Sequence, residues 1–136
     1  MGIGTELLMG ELTDTNSSWI ASRLPALGIE LQWVSIIGDD LPRLTEAIKR
    51  GMERSDIIFT TGGLGPTQDD LTRDAIAAAF GETPTVQQEV VENLERHFAP
   101  RGPPMPQHNL QQANQILSAR LCPTSNGPAP VRRTPR

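Results

Sequence analysis

The chain has 136 residues and a formal net charge of −4, enough for one domain with a buried core and too acidic for a general nucleic-acid binder, whose surface is usually basic. Its single cysteine, Cys122, excludes an internal disulfide and has no Cys or His beside it at zinc-like spacing. No apolar run reaches the length of a membrane span and the first residues lack the basic-then-apolar plan of a signal peptide, so a cytoplasmic location is the default expectation.

Met1-Gly2-Ile3-Gly4-Thr5-Glu6-Leu7-Leu8-Met9-Gly10 opens the chain as a glycine-bracketed segment with a single acid. Thr13-Asp14-Thr15-Asn16 then supplies helix-capping side chains, and Trp19, Ile20, Ala21, Leu24 and Leu27 recur at helical spacing until Gly28. Pro25 weakens only the last turn of that helix. Ile29 to Ile37 carries Leu31, Trp33, Val34, Ile36 and Ile37 and predicts a strand. Gly38-Asp39-Asp40 turns the chain into a helix with the apolar stripe Leu41, Leu44, Ala47, Ile48 and Met52, where Pro42 sits harmlessly in the first turn. Ile57-Ile58-Phe59 is a continuous apolar run, as in a strand buried on both faces of a parallel sheet. The glycine-rich turn Gly62-Gly63-Leu64-Gly65 follows, and Pro66-Thr67-Gln68-Asp69-Asp70-Leu71-Thr72 leads into a helix that runs through Ile76 and Ala79 to Phe80 and stops at Gly81.

Strands alternating with helices of this length indicate an α/β fold with a mostly parallel sheet, in which ligands bind beyond the carboxyl ends of the strands. Asp39 and the glycine loop each follow a strand directly, which puts both acidic turns on one edge. Thr85 is placed to cap a further helix carrying Val86, Val90, Leu94 and Phe98. The prolines between Ala99 and Pro106 impose a stiff loop, Gln107 to Asn114 fits a short polar helix, and Ser118 to Leu121 a short strand. The domain is expected over 1–121, with 122–136 a Pro- and Arg-rich tail that has too little apolar surface to order itself. His97 and His108 read as surface residues, Trp19 and Trp33 as core or interface.

The glycine loop admits two explanations. Glycines can serve only to build a strand-to-helix turn. Beside Thr67 and two acids they can also bring backbone N–H groups up to a phosphate, helped by the dipole of the helix that follows. Carboxylates next to a phosphate repel it unless a cation intervenes, and Mg²⁺ held by one or two carboxylates together with phosphate oxygens removes the conflict. Asp70 is the first candidate for metal ligand or water-orienting base and Asp39 its partner, while one of Asp39 and Asp40 is expected to be an ordinary helix cap. Thr61, Gly62, Gly63, Gly65, Thr67 and Thr72 are the candidate phosphate contacts, while Asp69 is placed in solvent. Glu6 and Asp14 can line the cleft, although Asp14 fits equally well as a helix cap and Glu6 as a solvated loop residue.

Taken together, these residues resemble the MoaB/Mog molybdopterin-binding superfamily, and within it the N-terminal domain of the CinA (competence/damage-inducible protein A) group. The resemblance rests on Ile3-Gly4-Thr5-Glu6-Leu7-Leu8 with Gly10, on Asp14-Thr15-Asn16, and above all on Gly62 to Thr67 followed by Asp69-Asp70-Leu71-Thr72. Asn109 to Ala113 and Asn126-Gly127-Pro128-Ala129-Pro130 resemble later segments of the same domain and add Asn126 as a ligand contact. The resemblance implies a three-layer α/β/α domain, often a homo-oligomer, whose glycine loop receives the pyrophosphate part of a nucleotide or pterin. It implies either hydrolysis of a nucleotide pyrophosphate such as ADP-ribose with a divalent metal, Mg²⁺ or Co²⁺, or a non-catalytic site for molybdopterin. No partner nucleic acid or membrane is implied. Family members begin with an apolar strand and continue beyond the last motif, whereas here only Met1-Gly2 precedes Ile3 and Val131 to Arg136 closes the chain. The expectation is a truncated domain whose first and last strands are missing, with a frameshift as one origin, and an inactive fragment is the third functional alternative.

Overall fold

Glycines flank Ile3 and leave its side chain as the apolar anchor of the chain's opening. In the computed structural model, which describes residues 1–101, 105–122 and 131–134, this segment is strand β1, Gly2–Ile3. β1 pairs in parallel with β2, Ile36–Ile37, in the register Gly2 to Ile36 and Ile3 to Ile37. Gly2 N donates to Ser35 O at 2.9 Å and Gly4 N to Ile37 O at 3.0 Å. On its other side Met1 N donates to Phe59 O at 2.7 Å, Thr61 N to Met1 O at 3.0 Å and Ile3 N to Thr61 O at 2.8 Å. The first strand is therefore present, two residues long, and lies between the two segments that the sequence marks as strands.

Those two segments are far less regular than their apolar composition suggests. Of 29–37 only Ile36–Ile37 is strand, and of the 57–61 region only Thr61 forms a bridge, with Gly2. A ladder needs a partner as well as suitable side chains, and β1 reaches only the last residues of each neighbour. Ile57 and Phe59 are accordingly 53% and 42% exposed rather than buried on both faces.

Helix α1, Thr5–Leu8, follows β1 at once. Helix α2, Thr15–Arg23, is capped by Asp14, whose carboxylate accepts from Ser17 N at 2.9 Å. It tightens into a 3₁₀ turn over Leu24–Leu27 and ends at Gly28 with φ 70°, the left-handed stop that glycine permits. Helix α3, Leu41–Arg54, is capped by Asp40, which accepts from Arg43 N at 2.9 Å. Helix α4, Thr72–Phe80, begins after the two acids rather than at them. Strand β3, Thr85–Val86, pairs antiparallel with β4, Asn114–Gln115, so Thr85 and Val86 belong to a strand and helix α5 covers Gln88–Phe98. A 3₁₀ segment spans Gln107–Ala113. β5, Arg120–Cys122, pairs antiparallel with β6, Val131–Arg133. Part of the region expected to be a tail without order thus forms a strand, because backbone pairing makes no demand on apolar side chains.

Three clusters of buried side chains follow from this order. Ile3, Leu44, Ile48 and Ala75 join β1 to α3 and α4, Val90, Val91, Leu94 and Ala113 join α5 to the 3₁₀ segment, and Ala77 of α4 meets Ile116 and Ala119. Leu44, Ile48 and Gly51 form the buried stripe of α3, the spacing of one helical face. Trp19 and Trp33 are not core: they are 61% and 60% exposed, each with an arginine over its ring, Arg23 at 5.3 Å and Arg54 at 4.4 Å. Among the described residues no helix is long and apolar enough to cross a membrane. Leu44→Ala, at a side chain 1% exposed, is expected to lower the unfolding free energy by about 2–5 kcal/mol in urea titration, whereas Trp19→Ala should change it by no more than about 0.5 kcal/mol.

Candidate functional site

The carboxyl ends of β1, β2 and the Phe59–Thr61 segment meet at one edge, and the chain leaves that edge three times, as Gly4-Thr5, as Gly38-Asp39 and as the glycine loop. The loop passes so close to β1 that two positions admit only glycine. Gly62 has φ 92° and a Cβ there would stand 2.0 Å from Ile3 O. Gly63 has φ 58° and a Cβ would stand 2.4 Å from Thr72 Oγ1. Both backbones are in the region that side-chain-bearing residues rarely adopt.

Three side chains from the start of α4 hold the loop. Thr72, with no solvent exposure, donates from Oγ1 to Gly62 O at 2.8 Å, and its N donates to Gly63 O at 3.3 Å. Thr72 is thus a buried staple of the loop. Arg73, 8% exposed, donates from Nη1 to Leu64 O and from Nη2 to Gly65 O, both at 2.6 Å. Asp70 accepts from Gly65 N on Oδ1 at 2.8 Å, and from Thr67 N at 2.8 Å and Thr67 Oγ1 at 2.5 Å on Oδ2. Burial pushes the Asp70 carboxyl up, but these three donors and the nearby Arg73 cation outweigh it and hold the group below the usual carboxylate range. Both Asp70 oxygens accept from the loop, so Asp70 braces it.

Asp39 lies across the edge. Its Oδ2 accepts from Thr5 N at 2.8 Å and from Thr5 Oγ1 at 2.9 Å, and Thr5 Oγ1 in turn accepts from Asp39 N at 3.1 Å. Asp39 Oδ1 accepts from no group among the described residues. Glu6 folds back against Gly4, where a Cβ would meet its Oε1 at 2.5 Å, and Asp14 lies against Gly2, where a Cβ would meet Oδ2 at 2.7 Å. Asp14 is occupied as the cap of α2, and its hydrogen bonds from Ser17 hold its carboxyl below the ordinary value. The edge therefore gathers Thr5, Glu6, Asp39, Thr61, Gly62, Gly63 and Gly65, with Thr67 and Asp70 at the far end of the loop. Asn126 lies outside the described residues. Thr5 and Arg73 were not singled out from sequence, since neither periodicity nor composition reveals which oxygen a side chain will reach.

Beside the loop a polar cavity of about 280 Å³ is lined by Thr67, Gln68, Asp70, Arg73, Asp74, Gln111 and Asn114. Among the described residues no three or more His, Cys, Asp or Glu side chains gather into a group that could cage a metal ion. A divalent cation fits this edge only if a ligand's phosphate oxygens complete its shell beside the open oxygen of Asp39, the arrangement Mg²⁺ commonly uses.

The depressed Asp70 pKa has a definite sign. Its stabilising contribution is complete above the ordinary aspartate value and is lost as the pH falls through the lower, folded-state value. In urea titrations from about pH 6 to pH 3, Asp70→Asn is expected to be less stable than the parent at the upper end, and the gap should close on acidification.

Residues 1–131 match the family described as "probable molybdopterin binding domain". CinA-like proteins of Thermomicrobium roseum and Deinococcus deserti are each 46% identical over 130 residues, 96% of this chain and 32% of their own lengths. The chain thus spans about a third of the length of the curated relatives it matches. The crystal structure of CinA from Thermoplasma acidophilum superimposes with a TM-score of 0.88 at 26% identity, covering 96% of this chain and 77% of that one. The Mog protein of Mycobacterium ulcerans shares the fold, with a TM-score of 0.53 at 22% identity over 85% of this chain and 77% of its own. The chain belongs to the molybdopterin-binding domain family, with the α/β fold of MoaB and Mog, and within that family it is similar to the CinA-like proteins.

Proposed function

We propose that this domain binds a pyrophosphate-bearing nucleotide or pterin at the edge formed by Thr5, Asp39 and the glycine loop. One observation carries the reading: the consecutive N–H groups of Gly62, Gly63 and Leu64 donate to no group among the described residues, beside the first turn of α4. Successive amides in left-handed backbone form a concavity suited to an anion, and the start of a helix adds positive potential. The family description favours a pterin.

The catalytic version of the reading adds hydrolysis of a nucleotide pyrophosphate such as ADP-ribose. Asp39 Oδ1 and phosphate oxygens would hold Mg²⁺ or Co²⁺, which would polarise a phosphoryl oxygen and acidify the attacking water. Thr5 fixes the Asp39 carboxylate by two hydrogen bonds and so determines which oxygen faces the ligand. The engagement of both Asp70 oxygens by the loop favours the alternative, a site that holds molybdopterin without hydrolysing it, because it leaves Asp39 alone among the two candidate acids.

Purified protein incubated with ADP-ribose and Mg²⁺ or Co²⁺ is expected to release AMP and ribose 5-phosphate, and EDTA should stop the release. Asp39→Asn should lower turnover on the order of 100-fold while calorimetric binding of ADP-ribose persists. Absence of product from a protein with a folded circular dichroism spectrum would leave only the binding module, and absence of binding heat as well would remove both.

A further inference from the structure

The two bonds made by Thr72 set the direction of groups it does not touch. In a planar trans peptide the carbonyl and the N–H point to opposite sides, and no cis bond occurs among the described residues. Thr72 Oγ1 draws in Gly62 O at 2.8 Å and Thr72 N draws in Gly63 O at 3.3 Å. The N–H groups on the far side of those same two peptide units belong to Gly63 and Leu64. Both carbonyls turn toward a fully buried residue, so both N–H groups turn away from it.

We propose that Thr72 is a positioning residue that aims the Gly63 and Leu64 N–H groups at the ligand's phosphate and makes no contact with the ligand itself. The inference rests on the anion-binding reading above. The loop needs such a device because of its own composition. Gly62 and Gly63, with φ of 92° and 58°, flank a peptide plane that has no Cβ on either side to resist rotation, so without a fixed carbonyl that plane can turn and point its N–H elsewhere. The plane between Leu64 and Gly65 is held at both ends, Leu64 O by Arg73 and Gly65 N by Asp70, and the plane between Gly63 and Leu64 by the Thr72 N–H. The plane between Gly62 and Gly63 has only the Thr72 hydroxyl, which makes that one oxygen decisive.

The test compares Thr72→Val, which keeps the shape and removes the donor, with Thr72→Ser, which keeps the donor. Calorimetry with inorganic pyrophosphate and with ADP-ribose is run at a temperature where circular dichroism shows each variant folded. A plane that spends only a tenth of its time correctly aimed weakens binding about 10-fold, so Thr72→Val should bind about 10-fold more weakly and Thr72→Ser as the parent does. Equal binding by Thr72→Val, or equal weakening in both variants, overturns the proposal. A titration of the unsubstituted protein needs neither variant to fold: saturating pyrophosphate should shift the Gly63 and Leu64 amide resonances, and saturation without those shifts also overturns it. If neither probe binds the unsubstituted protein, the anion-binding reading fails by itself. The aiming claim is then judged on the free loop, where the Gly63 amide resonance should move in Thr72→Val and stay in place in Thr72→Ser; no difference between the two sinks it.

Discussion

The pairing of Met1 to Gly4 with Ser35–Ile37 on one side and Phe59–Thr61 on the other is the contact on which the remaining structure depends. Among the described residues no ladder joins those two flanking segments directly; each pairs with β1. The same short stretch sends the side chain of Ile3 into the cluster with Leu44, Ile48 and Ala75, leaves its carbonyl where Gly62 must pass, and ends at Thr5, whose N–H and hydroxyl hold Asp39. Core, loop and acid are therefore positioned by one element. A buried apolar side chain of this size is worth a few kcal/mol, a large share of the stability of a single domain.

The polar side chains nearest the loop are spent on the loop itself. Asp70, Thr72 and Arg73 each satisfy backbone groups that would otherwise lie unpaired in or near the core, where an unmet donor or acceptor costs about 1–3 kcal/mol. That cost, together with the roughly 0.5–1 kcal/mol of chain entropy each glycine adds, explains why so much side-chain chemistry is gathered around so short a turn. The loop amides of Gly62, Gly63 and Leu64 donate to no group among the described residues. In the proposed site the side chains would fix the shape of the loop, and its amides together with Asp39 would meet the ligand.

Much of this was legible in the sequence, and the limits have physical reasons. Gly62, Gly63, Asp39 and Asp40 follow local rules of turn and cap, and spacing alone gives the loop, its edge and a cap at one of the two acids, which the structure places at Asp40. The strand over Ile29 to Ile37 was overdrawn because apolar composition reports burial propensity and not the length of a partner some thirty residues away in the chain. Thr85 and Val86 looked like the start of a helix because the strand they pair with, Asn114–Gln115, is polar and carries no pattern. The bonds of Thr72, Asp70 and Arg73 to the loop are not legible in sequence, because a hydroxyl, a carboxylate or a guanidinium near a helix start can face outward or turn back on the chain, and only the path of the loop shows which backbone groups it reaches.

The order of residues in β1's two pairings has a consequence for synthesis. The strand at the centre of the ladder precedes both of its partners, and Ser35–Ile37 and Phe59–Thr61 emerge only after long intervening stretches have been translated. Contacts of such sequence separation form late, since loop closure must precede them. A nascent chain can pair Gly2 and Gly4 with Ser35 and Ile37, and Thr5 with Asp39, well before the Ile3 N–H can reach Thr61 O, and the glycine loop follows Thr61 directly. The second side of the ladder and the loop of the edge proposed to bind phosphate are completed in the same step, so a chain that stalls short of that point has one side of the ladder and no glycine loop.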